Sequence, residues 1–404
     1  MRCGLLGRKL GHSYSPQIHA LLGDYPYALY EKEPEQIGDF LKSGDFTGLN
    51  VTIPYKKVVI PFCAELSDAA RRLGAVNTIV RRSDGFLIGH NTDYFGFSSM
   101  VSHSSLSVSG KKVLVLGSGG ASNTAVAVLE ELGANVTVIS RSGEDNYDNM
   151  SRHADAAVIV NATPVGMYPH SGVSPVSLDC FPHLEGVLDL IYNPARTQLL
   201  MDAQARGLVT ENGLWMLVAQ AKEAAQCFTG SAISDSVIEP IHTALRREME
   251  NIVLIGMPGC GKSTVAGMLS QALGRNVVDA DTEIEVLAGC TIPEIFARDG
   301  EAEFRRLETQ VLRELGKQSG LIIATGGGCV TREENYPLLH QNGKIFWLVR
   351  DTEKLPTDGR PLSQSTRLAD MYRLRKPLYA RFADHIIDNN GTAVETLEAI
   401  RRLL

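Results

Sequence analysis

Apolar residues gather along the chain in short β-branched runs that alternate with stretches at helical spacing. KKVLVLG (residues 111–117) is such a run, followed by a glycine-rich loop, the helix pattern AVAVLEELG and a second run, NVTVIS. NIVLIG (251–256) leads in the same way through a glycine loop into TVAGMLSQALG and NVVDAD. Each is a βαβ unit, and sequential strand–helix alternation predicts parallel sheets with helices on both faces. Upstream, the runs CGLLG, GLNVTIP, NTIVRR and FLIGHNT predict the strands of a separate α/β domain of some hundred residues. SAISDSVIEPIHTALRREMEN reads as a capped helix that runs almost directly into the strand at Ile252, with no Gly/Ser- or Pro-rich linker. The predicted division is an α/β domain over 1–100, a doubly wound domain over 101–230, a closing helix over 231–248 and a second nucleotide-type α/β domain over 250–404. No internal repeat or low-complexity segment interrupts it.

Composition fits this picture. A chain of 404 residues, 44% hydrophobic and 21% charged, exceeds what one core usually supports and gives no sign of extended disorder. The opening MRCGLLGRKLGHS lacks a sustained apolar run, and no apolar stretch approaches bilayer length, so the expectation is a cytoplasmic protein without a membrane partner. Seven scattered cysteines form no CxxC or zinc-ligand pair, which predicts reduced, mostly buried thiols. A net charge of −7 and a pI near 5.8 argue against a nucleic-acid partner. Any anionic ligand must then be held by a few placed cations.

Two phosphate-binding signatures supply such places. In GSGGAS the backbone of Gly117, Ser118, Gly119, Gly120 and Ala121 can turn sharply toward a pyrophosphate facing the next helix, the pattern of a Rossmann-like domain, although the third small position is Ser122. A site selective for NAD usually offers Asp or Glu at the end of the following strand. This chain offers Ser140 and Arg141, and a guanidinium there suits a ribose 2′-phosphate, favouring NADP; the alternative is a solvated surface arginine. GMPGCGKST (256–264) satisfies the P-loop pattern in its strand–loop–helix context. Lys262 is placed to reach the β- and γ-phosphates of a nucleoside triphosphate and Ser263 to ligate Mg2+, while the backbone from Gly259 through Cys260, Gly261 and Lys262 to Thr264 cradles the phosphates.

Four polar clusters precede the first loop: GHSYSP, GLNVTIPYKK, GAVNTIV and GHNTDYFGF. With NATPVGM (161–167), DLIYNP (189–194) and GLWMLVAQA (213–221), they make residues 1 to about 245 resemble the shikimate dehydrogenase family. The resemblance implies that Ser13 and Ser15 bind the carboxylate of 3-dehydroshikimate or shikimate, that Asn50, Thr52, Asn77, Asp93 and Gln220 meet the ring hydroxyls with Tyr192 nearby, and that Lys56 is catalytic. It also implies that Asn161, Thr163 and Gly213 border NADPH/NADP+. The chemistry agrees, because hydride delivery to a ketone leaves an alkoxide that an ammonium can stabilise and protonate while a carboxylate orients it. Singly, each residue has a plainer reading: Lys57 as the exposed neighbour, Asn77 as a turn cap, Ser15 as an N-cap before Pro16. The sequence departs from the family at Arg8-Lys9, where Asn-Pro is common, and in the short stretch between Arg141 and Asn161.

Beyond the P-loop come DAD (279–281), EFRRLE (303–308), TGGGCV (325–330), GRPL (359–362) and LRKPLY (374–379). Over nearly all of 251–404 this set resembles shikimate kinase. The resemblance implies a P-loop kinase domain with Asp279 near Mg2+, Asp281 at the hydroxyl to be phosphorylated, Arg305 and Arg375 on the carboxylate, Gly326 and Gly327 against the ring, and Arg360 as the lid arginine on the transferring phosphate. The plainer readings are a strand-end cap for Asp279 and Asp281 and a charged helix face for Arg305 and Arg306. The segment WLVRDTEKLPTDGRPL is shorter than the usual lid and offers no obvious second basic residue for adenine.

The whole reading is a bifunctional enzyme of aromatic biosynthesis, reducing 3-dehydroshikimate with NADPH and phosphorylating shikimate with ATP and Mg2+. Its rivals are a quinate/shikimate dehydrogenase using NAD fused to another small-molecule kinase, and a regulatory protein with one degenerate half.

Overall fold

The computed structural model describes residues 1–11, 13–355 and 368–404, which form two compact units. Unit 1 comprises Met1–Val165, Ser174–Tyr192 and Asp202–Ala244; unit 2 comprises Gly166–Val173, Asn193–Met201 and Leu245–Leu404. Each follows the alternation of its apolar runs.

Unit 1 holds two sheets. The first contains β1 (Cys3–Gly7), β2 (Tyr27–Glu31), β3 (Gly48–Val51), β4 (Glu65–Leu66), β5 (Thr78–Arg81) and β6 (Leu87–His90), in the order β2-β1-β3-β5-β6-β4. It is mixed, because β5 runs antiparallel to both β3 and β6. The pairing Asn50 to Thr78 and Thr78 to His90 brings the polar clusters of three strands onto one edge. Four of the six strands coincide with the apolar runs. β2 carries YALYE, largely exposed and without a two-residue alternation, and only its parallel pairing with β1 makes it a strand. The second sheet is fully parallel, with β7 (Lys112–Leu116), β8 (Asn135–Ile139), β9 (Val158–Asn161), β10 (Gly186–Asp189) and β11 (Val209–Asn212) in the order β11-β10-β9-β7-β8. Its central strands are buried on both faces, as a sheet covered by helices requires.

Unit 2 is built on one parallel sheet of β12 (Asn251–Ile255), β13 (Val277–Asp279), β14 (Ile322–Ala324), β15 (Gly343–Val349) and β16 (His385–Asp388), in the order β13-β14-β12-β15-β16. The helix Ile238–Met249 leads into β12 without a linker. Among the described residues no helix is long and apolar enough to cross a membrane, and all seven cysteines are free, with Cys180 exposed.

Two short segments from the first half of the sequence belong to unit 2, which no periodicity predicted. Arg196 explains one of them: its guanidinium donates to the carbonyls of His340 at 2.8 Å and Gly343 at 3.2 Å and to Glu250 at 3.2 Å. Backbone bonds from Ala195 to the Asn342 side chain and from Arg196 to the Gln341 carbonyl, both 2.8 Å, complete the attachment. Since the Arg196 and Glu250 side chains are 22% and 13% exposed, the pair is only partly screened. Arg196→Ala is expected to destabilise unit 2 by about 1.5–3 kcal/mol, the range of a charge-assisted hydrogen bond, read as a lower denaturant midpoint at unchanged slope.

Candidate functional site

In unit 1 the sheet edge organises a chain of side-chain bonds. The Tyr27 hydroxyl donates to Asn50 Oδ1 at 2.7 Å, and Asn50 Nδ2 donates to Thr78 Oγ1 at 3.2 Å. Thr78 Oγ1 donates to Asn77 Oδ1 at 3.1 Å, and Asn77 Nδ2 donates to Thr92 Oγ1 at 3.1 Å. Thr92 Oγ1 reaches Gln220 Oε1 at 3.5 Å. Asn50, Asn77 and Gln220, separated in sequence, thus share one network. Thr52 follows β3, with its amide bonded to the Leu6 carbonyl. Ser13 Oγ accepts from the Ser15 amide at 3.2 Å, and Tyr14, between them, meets the Tyr192 ring edge-on at 6.3 Å.

Lys56 Nζ lies 2.6 Å from Asp93 Oδ2, with the side chains 32% and 17% exposed. Lys57 points to solvent, so the geometry decides which lysine pairs with the carboxylate. One turn beyond Ser15, His19 is fully buried, stacked on Tyr27 at 4.1 Å and bonded through Nδ1 to the Tyr25 hydroxyl at 2.7 Å. Burial pushes its pKa down to about 3, so the ring supporting Tyr27 is neutral. Tyr27, Thr78 and Thr92 were not singled out from the sequence; the threonines stand inside VNTIV and GHNTD, whereas Tyr27 has no such signal.

At the second sheet of unit 1, Gly117 takes φ +105° at the turn after β7, a backbone that L side chains rarely adopt. Hypothetical β-carbons on Gly119 and Gly120 would meet nothing within 4 Å, and the helix Gly120–Glu131 begins without a side-chain cap. An open loop with free amides at a helix start fits a dinucleotide pyrophosphate. Ser118 lies on this loop and Ala121 in the first turn of the helix, Ser140 is buried at the end of β8, and exposed Arg141 has no ion pair among the described residues. Asn161 and Gly213, also expected beside the cofactor, each have a structural partner. Asn161 is fully buried and spends its amide on Asp189 at 3.0 Å and on the turn that carries Thr163, whose hydroxyl donates to it at 2.7 Å. Gly213 is explained by packing, because a β-carbon there would strike the Leu190 carbonyl.

In unit 2 a cavity of about 520 Å³ is lined by Gly259, Lys262, Asp279, Asp281, Arg305 and Arg375, among others. Lys262 Nζ is held by the carbonyls of Gly256 at 3.0 Å and Met257 at 3.1 Å; Gly259 and Gly261 take φ +80° and +98°. The helix Lys262–Leu273, which carries Ser263 and Thr264, has no side-chain cap, leaving its amides to phosphate oxygens. Cys260 is completely buried, so it offers only its backbone. Ser263 Oγ donates to Asp279 Oδ2 at 2.8 Å, while Asp279 Oδ1 caps the Asp281 amide at 3.0 Å. The strand-end capping reading therefore holds for Asp279, but not for Asp281, whose Oδ1 is buried without a partner.

The sequence missed Glu308 and Gly328. Glu308, fully buried, accepts from Arg305 at 2.8 Å, and Glu301 accepts from the same guanidinium at 3.1 Å. A β-carbon at Gly328 would strike that guanidinium, and one at Gly326 would lie 2.7 Å from both Asp281 Oδ1 and Glu308 Oε1. Gly327 packs on Pro258, and its carbonyl accepts from Arg375 at 3.1 Å. The three-residue spacing of Arg305 and Glu308 on a helix was the available signal. Arg306, on the outer face, pairs with Glu303 at 2.7 Å. Arg360 lies outside the described residues.

The first arrangement defines a dinucleotide-dependent dehydrogenase of a polar small molecule, and the second a P-loop small-molecule kinase. The chain belongs to the shikimate dehydrogenase family. Residues 5–79 match the shikimate dehydrogenase substrate binding domain, and residues 258–404 match shikimate kinase. A shikimate dehydrogenase (NADP(+)) of Clostridium perfringens is 35% identical, over 60% of this chain and 97% of its own. The crystal structure of shikimate 5-dehydrogenase from Thermus thermophilus in complex with NADP(H) and shikimate is 30% identical, with TM-score 0.54, covering 60% of this chain and 99% of that one. A quinate dehydrogenase of Corynebacterium glutamicum in complex with NAD is 27% identical, with TM-score 0.54, covering 61% of this chain and 98% of that one.

Burial, reinforced by the Asp279 charge, raises the Asp281 pKa. A carboxyl whose folded pKa exceeds its unfolded one costs stability as pH rises through that interval. Asp281→Asn is therefore expected to be more stable than the wild type at pH 7, with the advantage vanishing below about pH 4, where both side chains are neutral. Denaturant titrations at the two pH values read the difference.

Proposed function

We propose that this chain carries out two consecutive steps of the shikimate pathway: reduction of 3-dehydroshikimate to shikimate in unit 1, and phosphorylation of shikimate to shikimate 3-phosphate in unit 2. The observation that carries the proposal is that each unit holds charged and polar groups of the kind its step needs, the Lys56–Asp93 pair beside the amide network in one and the charged cavity of unit 2 in the other.

In unit 1, bound NADPH supplies the hydride. Ser13 and Ser15 hold the substrate carboxylate, and Asn50, Thr52, Asn77 and Gln220 orient the ring hydroxyls. Lys56 stabilises the charge that develops on the ketone oxygen and passes it a proton, while Asp93 keeps the ammonium directed. In unit 2, bound ATP supplies the phosphoryl group. Arg305 and Arg375 clamp the carboxylate, and the raised pKa of Asp281 suits it to take the hydroxyl proton. Ser263 and Asp279 would hold Mg2+, since two adjacent oxygens suit a hard cation that keeps several waters. Lys262 and the lid arginine Arg360 complete the neutralisation of charge.

The alternative of NAD with quinate is supported by the 27% relative. Exposed Arg141 after β8, with no ion pair among the described residues, favours NADP.

Lys56→Ala is expected to slow NADPH oxidation with 3-dehydroshikimate by at least about a hundredfold, the scale of general acid catalysis, with phosphorylation of added shikimate unchanged. Lys262→Ala should do the reverse. Loss of both activities in either folded variant would overturn the division of labour.

Arg141→Ala should raise KM for NADPH by about tenfold, the low end for a charge-assisted contact because exposure screens it, and leave NADH little changed. Equal losses for both cofactors would mark Arg141 as structural.

A further inference from the structure

We infer that Arg350 is a nucleotide-phosphate ligand of unit 2. The inference rests on the kinase reading and extends it to a residue outside the motifs of the resemblance.

Arg350 directly follows β15, at the carboxyl edge of the parallel sheet where ligands of such folds bind. A β-carbon at Gly261, in the P-loop, would come 3.2 Å from Asn389 Nδ2 and 3.8 Å from the Arg350 guanidinium. The guanidinium therefore flanks the phosphate cradle at a glycine whose positive φ excludes side chains. Its surroundings are fixed. Asn389 donates to the Cys260 carbonyl and accepts from Thr396 at 2.6 Å, and the Asp351 amide donates to Asn390 at 2.9 Å.

No counter-charge meets this cation among the described residues. Arg350 makes no ion pair there, its Nε is buried without a hydrogen-bond partner, and the nearby Asp351 is engaged by Lys354 at 3.2 Å. A half-buried guanidinium left unsatisfied is costly unless a ligand completes it. The anion that reaches this place is the phosphate chain held by the adjacent amides. Planar, multidentate donors match phosphate oxygens. Arg350 would therefore grip the chain beside Gly261 while Lys262 grips it from within the loop.

The test is calorimetric titration of the full-length protein with ADP and with pyrophosphate, the latter lacking the base. Arg350→Ala should weaken both by about ten- to a hundredfold, with Arg350→Lys falling between Ala and wild type. KM for shikimate and the dehydrogenase rate should be unchanged, the former reporting that unit 2 is folded. Unchanged ADP affinity would overturn the inference, as would a loss for ADP without one for pyrophosphate, which would mean stacking on the base. If Arg350→Ala does not fold, Arg350→Lys and Arg350→Gln decide by the same ratio. Wild-type protein that binds ADP but does not phosphorylate shikimate would sink the substrate assignment and leave the Arg350 comparison decisive. Wild-type protein that binds neither probe would overturn both.

Discussion

The structure depends on one constraint, that parallel strands deliver the chain to a common edge. Each strand of a parallel sheet must end where its neighbours end, and the loops leaving that edge are the only places where polar groups can gather without breaking the ladder. The P-loop after β12, Asp279 at the end of β13, the glycines after β14, Arg350 after β15 and Asn389 after β16 all lie there. The second sheet of unit 1 repeats the rule with Gly117, Arg141, Asn161 and Gly213. In the mixed sheet the antiparallel β5 obeys it in reverse, starting rather than ending at the edge, and Asn77 at its head joins Asn50 and Thr92.

What gathers at that edge is not arranged for stability. Glu308 is fully buried and burial raises its pKa, although Arg305 pulls the other way. Asp281 and Glu308 each turn one buried, unpartnered oxygen toward Gly326. A buried acceptor without a donor costs about 1–3 kcal/mol, so the cavity carries strain that a polyhydroxylated ligand could relieve. The amide network of unit 1 differs, because its members satisfy one another, and the charge pair beside it is Lys56 with Asp93. Reducing a ketone needs a single poised cation, whereas transferring a phosphoryl group needs several.

Much of this was legible in the sequence because glycine loops and short polar motifs are local. The P-loop, GSGGAS and the NTD and DAD triplets sit where strand and helix patterns put them. What escaped was non-local or depended on packing. β2 is a strand only through its partner, so YALYE carried no signal of its own. Asn161 and Gly213 belong to conspicuous motifs, but their packing partners, Asp189 for one and the Leu190 carbonyl for the other, are distant in sequence. Spacing cannot distinguish a residue that touches a ligand from one that shapes the loop that does. Gly328 and Glu308 were hidden by a related limit, since their importance lies in the room and charge they give Arg305.

The boundary between the two units shows the same limit at larger scale. Motif resemblance divides the chain cleanly near residue 245, and the helix Ile238–Met249 runs into β12 there without a break. Physical association divides it otherwise, because residues 193–201 belong to the compact unit whose sheet begins at Asn251. The tie is polar and specific. Arg196 occupies the carbonyls at His340 and Gly343, and Glu250, which it also meets, is shared with Lys344 at 3.4 Å. Severing the chain at the motif boundary would leave those carbonyls without their donor and Glu250 with Lys344 alone, and would free the segment immediately after Tyr192, one of the residues assigned to the dehydrogenase site. The fusion is therefore not a simple end-to-end join: part of the first sequence belongs to the compact unit of the second.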